Sequence, residues 1–334
     1  MSAAALDRLL ALLLAAQLAT GLLSLRSGVP ATAPLFWLHG LLGGALLVAA
    51  IWKLKRSVGP AVAARRWGRL ALGSLLAFLA AGALVGGFTW VASGRILSIG
   101  PWTILTIHVF FALALVPIVL FHLLPRRWRL LRLRPTRRAG GRSISRRALL
   151  GSAGVMALGA LAWGTANLLD AVQGGVRRFT GSRWLTDGGI PPPTTFYGEP
   201  APPVDPDTWR LRVTGRVSRP LELDLGSLAA LGETERSAIL DCTSGWVMRT
   251  DWRGVPLPAV LDAAGADERA LHVVVSSVTG WNVALSRREA AGTMLATHVA
   301  GERLPTGNGA PCRLVAPERR GLDWIKWVAE IEVA

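Results

Sequence analysis

The sequence predicts a two-part chain: an N-terminal all-α transmembrane helical bundle of four helices plus a fifth anchor helix, followed by a C-terminal α+β domain. Three observations carry that prediction. Long apolar stretches fill the first half, raising the hydrophobic content to 51% and the mean hydropathy to +0.40 over 334 residues. Positive charge is concentrated in the same half: residues 1–150 hold 19 Lys/Arg against one acid, Asp7, whereas residues 151–334 hold 18 against 20. Beyond Gly188 the pattern changes to short alternating runs split by Pro, Gly and Thr. The net charge of +16 thus sits between apolar segments, where it sets topology, and this argues against a nucleic-acid partner.

Four apolar stretches precede residue 130, at about Ala4–Leu25, Leu35–Trp52, Leu70–Ala92 and Trp102–Leu124, and a fifth covers Ala148–Leu169. Each approaches the roughly 20 residues needed to cross about 30 Å of hydrocarbon. The connection 53–69 carries six basic residues and 126–147 carries ten, while the alternate connections carry one each, Arg26 and Arg95. That asymmetry puts the N-terminus and both basic connections in the cytoplasm, and an odd number of spans puts everything after Asp170 outside. The first span has only Arg8 ahead of it, offset by Asp7, so it reads as a retained helix rather than a cleaved leader. The predicted organisation is a four-helix membrane domain at 1–125, a basic cytoplasmic linker at 126–147, an anchor helix at 148–170 and an extracytoplasmic domain at 171–334, on a multi-pass protein of the plasma membrane.

Histidine at membrane depth is costly and marks function. His39 and His108 lie a few residues inside the outer ends of the second and fourth spans, at one depth, on helices running in the same direction. Two imidazoles so placed suit the opposite faces of one haem b. His122 follows His108 by 14 residues, on the same face but about 21 Å deeper, where the other spans offer no second histidine. The spacing resembles that of membrane b-type cytochromes over about residues 5–125. The expected complement is one haem, with an interhelical or interfacial role for His122.

The fifth span opens on Ser145-Arg146-Arg147-Ala148-Leu149-Leu150, which resembles the twin-arginine export signal with Leu149 in place of Phe. Residues 188–206 read as a linker and surface arm. Strand patterns follow at Trp209–Val217, Leu271–Ser277, Cys312–Ala316 and Val328–Val333, with a helix at Leu257–Ala264. Two cysteines, Cys242 and Cys312, are too few for a disulfide scaffold or a cysteine metal cluster, and Cys312 reads as a small buried hydrophobe.

Leu240-Asp241-Cys242-Thr243-Ser244-Gly245-Trp246, then Asp251-Trp252-Arg253-Gly254-Val255-Pro256-Leu257, resembles the molybdenum-binding core of the sulfite-oxidase superfamily, which includes periplasmic methionine-sulfoxide reductases. Asn308-Gly309-Ala310-Pro311-Cys312-Arg313-Leu314-Val315-Ala316-Pro317, Gly321 and Trp324-Ile325-Lys326-Trp327 are similar to that family's pterin loop, and the likeness spans about residues 190–334. It implies a sulfite-oxidase-type molybdopterin-binding fold and a Mo-molybdopterin cofactor. Cys242 would bind molybdenum as a thiolate, and Arg313 and Lys326 would hold the pterin phosphate. Thr194, Tyr197, Gly198, Ser277, Asn308 and the backbone of Trp324, Ile325 and Lys326 would contact the pterin. A host for this cofactor would have to cross the membrane folded, which fits the twin-arginine-like segment.

Departures from the family leave the substrate open. The methionine-sulfoxide reductases have Asn where Thr194 or Thr195 stands and Val-Glu in place of Thr243-Ser244; sulfite oxidases have an Asn-Arg pair where Gly245-Trp246 stands. Arg249, Arg253, Arg319 and Arg320 are candidates for a cationic wall, and His298 for a pocket lining. The sequence thus reads as a membrane-anchored molybdopterin-dependent oxidoreductase performing oxygen-atom transfer on a small S- or N-oxide or a sulfite-like anion. Its electrons would pass through haem b to or from the quinone pool or another carrier. Two other readings share these residues: a haem-free tethered molybdoenzyme, and an electron-transfer cytochrome with a non-catalytic domain. The joint presence of Cys242, Arg313 and Lys326 argues against the second.

Overall fold

The computed structural model describes residues 1–131, 146–195 and 200–334, with side chains except at Arg69 and 123–131. The chain forms two compact units: Met1–Leu23 with Ala33–Val176, and Ser24–Thr32 with Arg177–Ala334.

The first unit is built from helices α1 (Ala3–Ser24), α2 (Ala33–Ala63), α3 (Trp67–Ala92), α4 (Ile104–Leu131) and α5 (Arg146–Val172). A short hairpin, β1 (Ser98–Ile99) with β2 (Trp102–Thr103), joins α3 to α4. Five helices among the described residues are long and apolar enough to cross a membrane, by length and composition. Helix α2 departs from the sequence expectation. Hydropathy ends the second stretch at Trp52, yet the helix runs on to Ala63 through Lys53, Lys55 and Arg56, with Pro60 inside it. Lys and Arg are good helix formers, so the apolar stretch and the helix need not stop together. At 1.5 Å per residue α2 is about 46 Å long. Lys53 at the end of its apolar part pairs with Asp7 of α1 at 2.5 Å.

Small residues set the helix packing. Leu6 and Leu13 of α1, Ala45, Leu46 and Ala49 of α2 and Val155 of α5 form one buried cluster. Beside it the backbones of α2 and α5 nearly touch: a Cβ on Gly44 would lie 2.1 Å from the Gly159 carbonyl oxygen, and one on Gly40 would lie 2.2 Å from the Trp163 indole nitrogen. On the α3–α4 contact, Phe111 lies over Gly82, and its ring meets Phe78 edge to face at 5.6 Å.

The second unit contains β3 (Arg183–Trp184), β4 (Leu211–Gly215), β5 (Leu221–Leu223), α6 (Leu225–Ala229), β6 (Thr234–Asp241) and β7 (Trp246–Pro256). It continues with α7 (Leu257–Ala264), β8 (His272–Ser277), β9 (Asn282–Ser286), α8 (Arg287–Ala291), β10 (Met294–Val299), β11 (Glu302–Arg303), β12 (Arg313–Val315) and β13 (Val328–Val333). Two sheets result. In the first, β7 is the central strand, pairing antiparallel with β6 and β10 and parallel with β3, while β10 also pairs with β11 and β12. The second has the order β5-β4-β13-β8-β9, with β13 parallel to β4 and antiparallel to β8. Buried Trp252, Leu295, Leu314, Trp324 and Ile331 belong to the core. Helix α7 has the range predicted and stops at Gly265, whose left-handed φ of +62° closes the C-terminus. The expected strands appear one to two residues shorter at their ends, apart from Val328–Val333.

Candidate functional site

Cys242 sits where β6 turns into β7. Its amide donates to the Trp246 carbonyl at 2.8 Å, and Gly245 donates to the Cys242 carbonyl at 3.0 Å. The three-residue loop Thr243–Gly245 ends on a glycine with φ +104°, the left-handed position such a hairpin loop requires. The turn presents a half-buried, free thiol 3.0 Å from the Ser244 hydroxyl. Gly321 packs on the other side, where a Cβ would stand 3.2 Å from the Cys242 Cα.

Arg313 on β12 is 3% exposed. Its Nη1 donates to the Asn308 carbonyl at 2.9 Å, its Nε has no hydrogen-bond partner, and no carboxylate among the described residues pairs with it. The guanidinium lies 5.5 Å from the Trp252 ring centre and 5.8 Å from that of Trp324. The Trp252 indole N–H is also buried without an acceptor. Burial brings Arg313 down to about 10, against the pull of Cys242 in the other direction, so the cation persists at neutral pH. A buried, unpaired guanidinium costs several kcal/mol, and unfilled donors of this kind suit an anionic ligand with acceptor oxygens.

Several of the residues predicted from sequence are drawn together here. Lys326 donates to the carbonyls of Thr194 and Gly307, each at 2.7 Å. Buried Asn308 donates to the Pro191 carbonyl at 2.8 Å. The Thr194 hydroxyl accepts from the Trp246 indole at 3.2 Å, tying this group to the Cys242 hairpin. The Trp324 indole donates to the Arg319 carbonyl, and the Ile325 carbonyl accepts from Leu314. Ser277 has a local role, its hydroxyl oxygen accepting from the amide and hydroxyl of Thr279. Tyr197 and Gly198 lie outside the described residues.

The other candidates are spoken for. Arg253 faces Glu233 at 3.6 Å, Arg249 is exposed, and Arg319 pairs with both Glu289 and Asp323. His298 bonds Thr297, its pKa lowered by burial and then by Arg253. Cys312 is fully buried, which pushes its thiol pKa up, and it forms no disulfide with Cys242.

Arg320, the remaining candidate for a cationic wall, instead binds Asp241 in a group directly behind Cys242 whose other members the sequence did not single out. Asp241, 1% exposed, accepts on Oδ1 from Ser182 at 2.6 Å and Arg320 at 3.2 Å, and on Oδ2 from Arg178 at 2.6 Å and Thr180 at 2.7 Å. Burial raises its pKa, but the Arg320 charge and the bonds from Ser182, Thr180 and Arg178 outweigh it, so the net shift is downward. Arg320 also donates to the Cys242 carbonyl at 3.0 Å. The available signal was an acid immediately before the cysteine, straight after the apolar run Ala238-Ile239-Leu240.

In the first unit, His39 of α2 and His108 of α4 stand with ring centres 6.2 Å apart and planes at 88°. His108 Nδ1–H donates to the Ala83 carbonyl at 2.6 Å. His39 Nδ1 lies 2.9 Å from the Thr20 hydroxyl, which itself donates to the Ala16 carbonyl, so here too Nδ1 carries the proton. Both rings therefore keep the Nε2 lone pair for a ligand. Glycines make room: a Cβ on Gly87 would press on the His108 ring at 3.1 Å, and one on Gly21 would meet the His39 ring at 3.3 Å. His122 is half-buried on α4.

Comparison with known proteins bears on the second unit. Residues 198–334 match the family described as oxidoreductase molybdopterin binding domain. The chain is 34% identical over 148 residues to the protein-methionine-sulfoxide reductase catalytic subunit MsrP of Gluconobacter oxydans, and 33% identical over 141 residues to the protein of that name from Xanthomonas campestris pv. campestris. These alignments cover 38% and 37% of this chain, and 47% and 44% of the relatives, so the chain spans less than half the length of the curated relatives it matches. Among solved structures, the sulfane dehydrogenase SoxCD from Paracoccus pantotrophus aligns over 40% of each chain at 24% identity and a TM-score of 0.38, too low to add to the sequence match. The hairpin that carries Cys242 and the buried Arg313 both fall inside residues 198–334, the stretch of this chain that is similar to the oxidoreductase molybdopterin binding domain.

Proposed function

We propose that the chain is a membrane-anchored molybdopterin-dependent oxidoreductase that exchanges oxygen with a small S- or N-oxide or a sulfite-like anion. The carrying observation is Arg313, a buried cation that no carboxylate among the described residues pairs with, in electrostatic reach of Cys242. The relatives named as methionine-sulfoxide reductase catalytic subunits favour a sulfoxide as substrate class. Cys242 would supply the thiolate ligand, Arg313 and Lys326 the charge for the pterin phosphate, and Thr194, Tyr197, Gly198, Ser277, Asn308 and the Trp324–Lys326 backbone the polar contacts. When bound, the cofactor supplies two-electron oxygen-atom chemistry, and the protein contributes ligand, orientation and electrostatics. Arg313→Met is expected to reduce molybdenum content about 10- to 100-fold, the value of a charged hydrogen bond or two. The thermal midpoint of the cofactor-free protein should hold or rise, because an unpaired buried charge has been removed. Unchanged molybdenum content would refute the role of Arg313.

The reading extends to one haem b between His39 and His108. His39 and His108, whose ring centres are 6.2 Å apart, would hold it, and the haem would supply one-electron transfer. The protonated Nδ1 atoms and the adjacent Gly21 and Gly87 support that use. The partners would be the lipid bilayer and the quinone pool or another carrier, on a multi-pass plasma-membrane protein with its second unit outside. The charge asymmetry supports that sidedness. So does the membership of residues 24–32 in the second unit, since the connection between the first two helices then shares a side with the carboxy-terminal domain.

The test is metal and haem content of detergent-purified protein, comparing wild type with Cys242→Ala and His108→Ala. Wild type is expected to hold one molybdenum and one haem, each lost in its own variant. Absence of molybdenum from a host that makes the cofactor sinks the enzyme reading, and absence of reduced b-type bands leaves a haem-free molybdoenzyme.

A further inference from the structure

The second unit is discontinuous in sequence. Residues 24–32, which connect α1 to α2, cluster with 177–334, and their contacts fall on residues 318–323 and on Arg178. Ser27 and Arg319 form an antiparallel bridge. Gly28 lies so close to the same stretch that a Cβ would stand 2.9 Å from both the Glu318 oxygen and the Arg319 carbonyl carbon. The Ser24 carbonyl accepts from Arg320 Nη1 at 3.3 Å, and the Gly28 carbonyl accepts from Arg178 Nη2 at 3.0 Å. Arg26 adds a 3.6 Å ion pair to buried Asp323.

The two arginines reached in this way are those that hold Asp241. The other nitrogen of Arg320 binds Ser182, Asp241 and the Cys242 carbonyl, and the other nitrogen of Arg178 binds Asp241. Each guanidinium therefore has one end on the 24–32 segment and one end behind the thiol. A planar fork transmits position at both ends, which a single ammonium does not. Gly321, next to Arg320, meanwhile packs on the Cys242 Cα.

We propose that residues 24–32 are a positioning element of the Cys242 site, fixing Arg320 and Arg178 and through them the Asp241–Cys242 backbone. This rests on the reading of Cys242 as the molybdenum ligand. It adds that the ligand's placement depends on a segment made at the other end of the chain. Ser24, Gly28, Arg178 and Arg320 are positioning residues, acting through Asp241 and the Cys242 carbonyl.

The test uses the full chain in detergent, with Gly28→Val to push the segment off residues 318–319 and Arg320→Lys to keep the charge while removing the fork. In protein from a host lacking the cofactor, alkylation of Cys242 is followed by peptide mass spectrometry. Buried Cys312 serves as an internal control for unfolding. In loaded protein, the Mo(V) electron paramagnetic resonance spectrum and the thiolate-to-molybdenum absorption are recorded. Both variants are expected to alkylate Cys242 about threefold faster or more while Cys312 stays protected, and to shift the spectra. If Gly28→Val exposes Cys312 as well, Arg320→Lys decides: wild-type Cys242 reactivity in it overturns the proposal. Wild-type reactivity and spectra in both variants, with molybdenum still lost in Cys242→Ala, likewise overturn it and leave the molybdenum reading intact. Wild-type protein that never takes up molybdenum defeats that reading instead, and the alkylation rates still decide whether the segment positions Cys242.

Discussion

Asp241→Asn is expected to destabilise the carboxy-terminal unit by about 3–5 kcal/mol, the range for breaking a buried ion pair from one side. Asparagine matches the shape of aspartate but removes the charge that balances Arg320 and Arg178, whose side chains are 4% and 14% exposed. Partial exposure of Arg178 pulls the figure toward the lower end. For a unit of this size the thermal midpoint should fall by about 10 °C. The pH dependence gives a second signature. Asp241 titrates below its ordinary value of 3.8 in the folded state, so its stabilisation is fully present above the unfolded-state value and is lost as pH falls through the folded one. Wild type should therefore lose stability on acidification through that window by more than the variant does. Denaturation followed by tryptophan fluorescence at several pH values measures both effects. A variant within about 1 kcal/mol of wild type, with the same acid limb, would mean that the carboxylate is not what holds the cluster.

The second large effect lies between α2 and α5. Gly44→Leu must force the helices apart, because a Cβ there would meet the Gly159 carbonyl oxygen at 2.1 Å, and backbone does not yield as a side chain does. Overpacking of this kind costs about 1–3 kcal/mol and occasionally more, and close approach at small residues is the main attraction between apolar helices in lipid. Gly154→Leu, on the same helix as Gly159 but with nothing within 4 Å, is the control and should be tolerated. Thermal stability in detergent compares the two. The pair Gly44→Ala and Gly159→Ala should be strongly non-additive, since the separation made by the first relieves the second. Equal stability of Gly44→Leu and Gly154→Leu would remove the argument for this contact.

What the sequence disclosed follows from the range of the interactions concerned. Local periodicity located α7 to the residue and the core of each apolar helix, because helix and strand patterns are written over a few neighbouring positions. Hydropathy marked the end of the apolar stretch at Trp52 but not the end of α2, since Lys53, Lys55 and Arg56 stop burial without stopping hydrogen bonds. The two strands flanking Cys242 were noticed only as a motif, although β7 is the longest strand in the unit. Within the site, Cys242, Asn308, Arg313 and Lys326 stood out through a local resemblance. The Asp241 group did not, because Ser182, Arg178 and Arg320 are 59, 63 and 79 positions away. No pattern of spacing joins Ser24 to Arg320 across 296 residues.

That last separation governs the order in which the molecule is made. Residues 24–32 leave the ribosome well before the stretch they pair with, 318–323, Ser24 and Arg320 being 296 positions apart. Chain ends so far apart close slowly, and domains otherwise tend to complete themselves from the amino end during synthesis. Here the segment waits, spaced from its destination by helices α2 to α5 of the first unit. Synthesis must reach residue 323 before this pairing can form, so a nascent chain stalled short of residue 318 has both arginine-binding carbonyls, Ser24 and Gly28, in hand but neither Arg320 nor the bridge to Arg319.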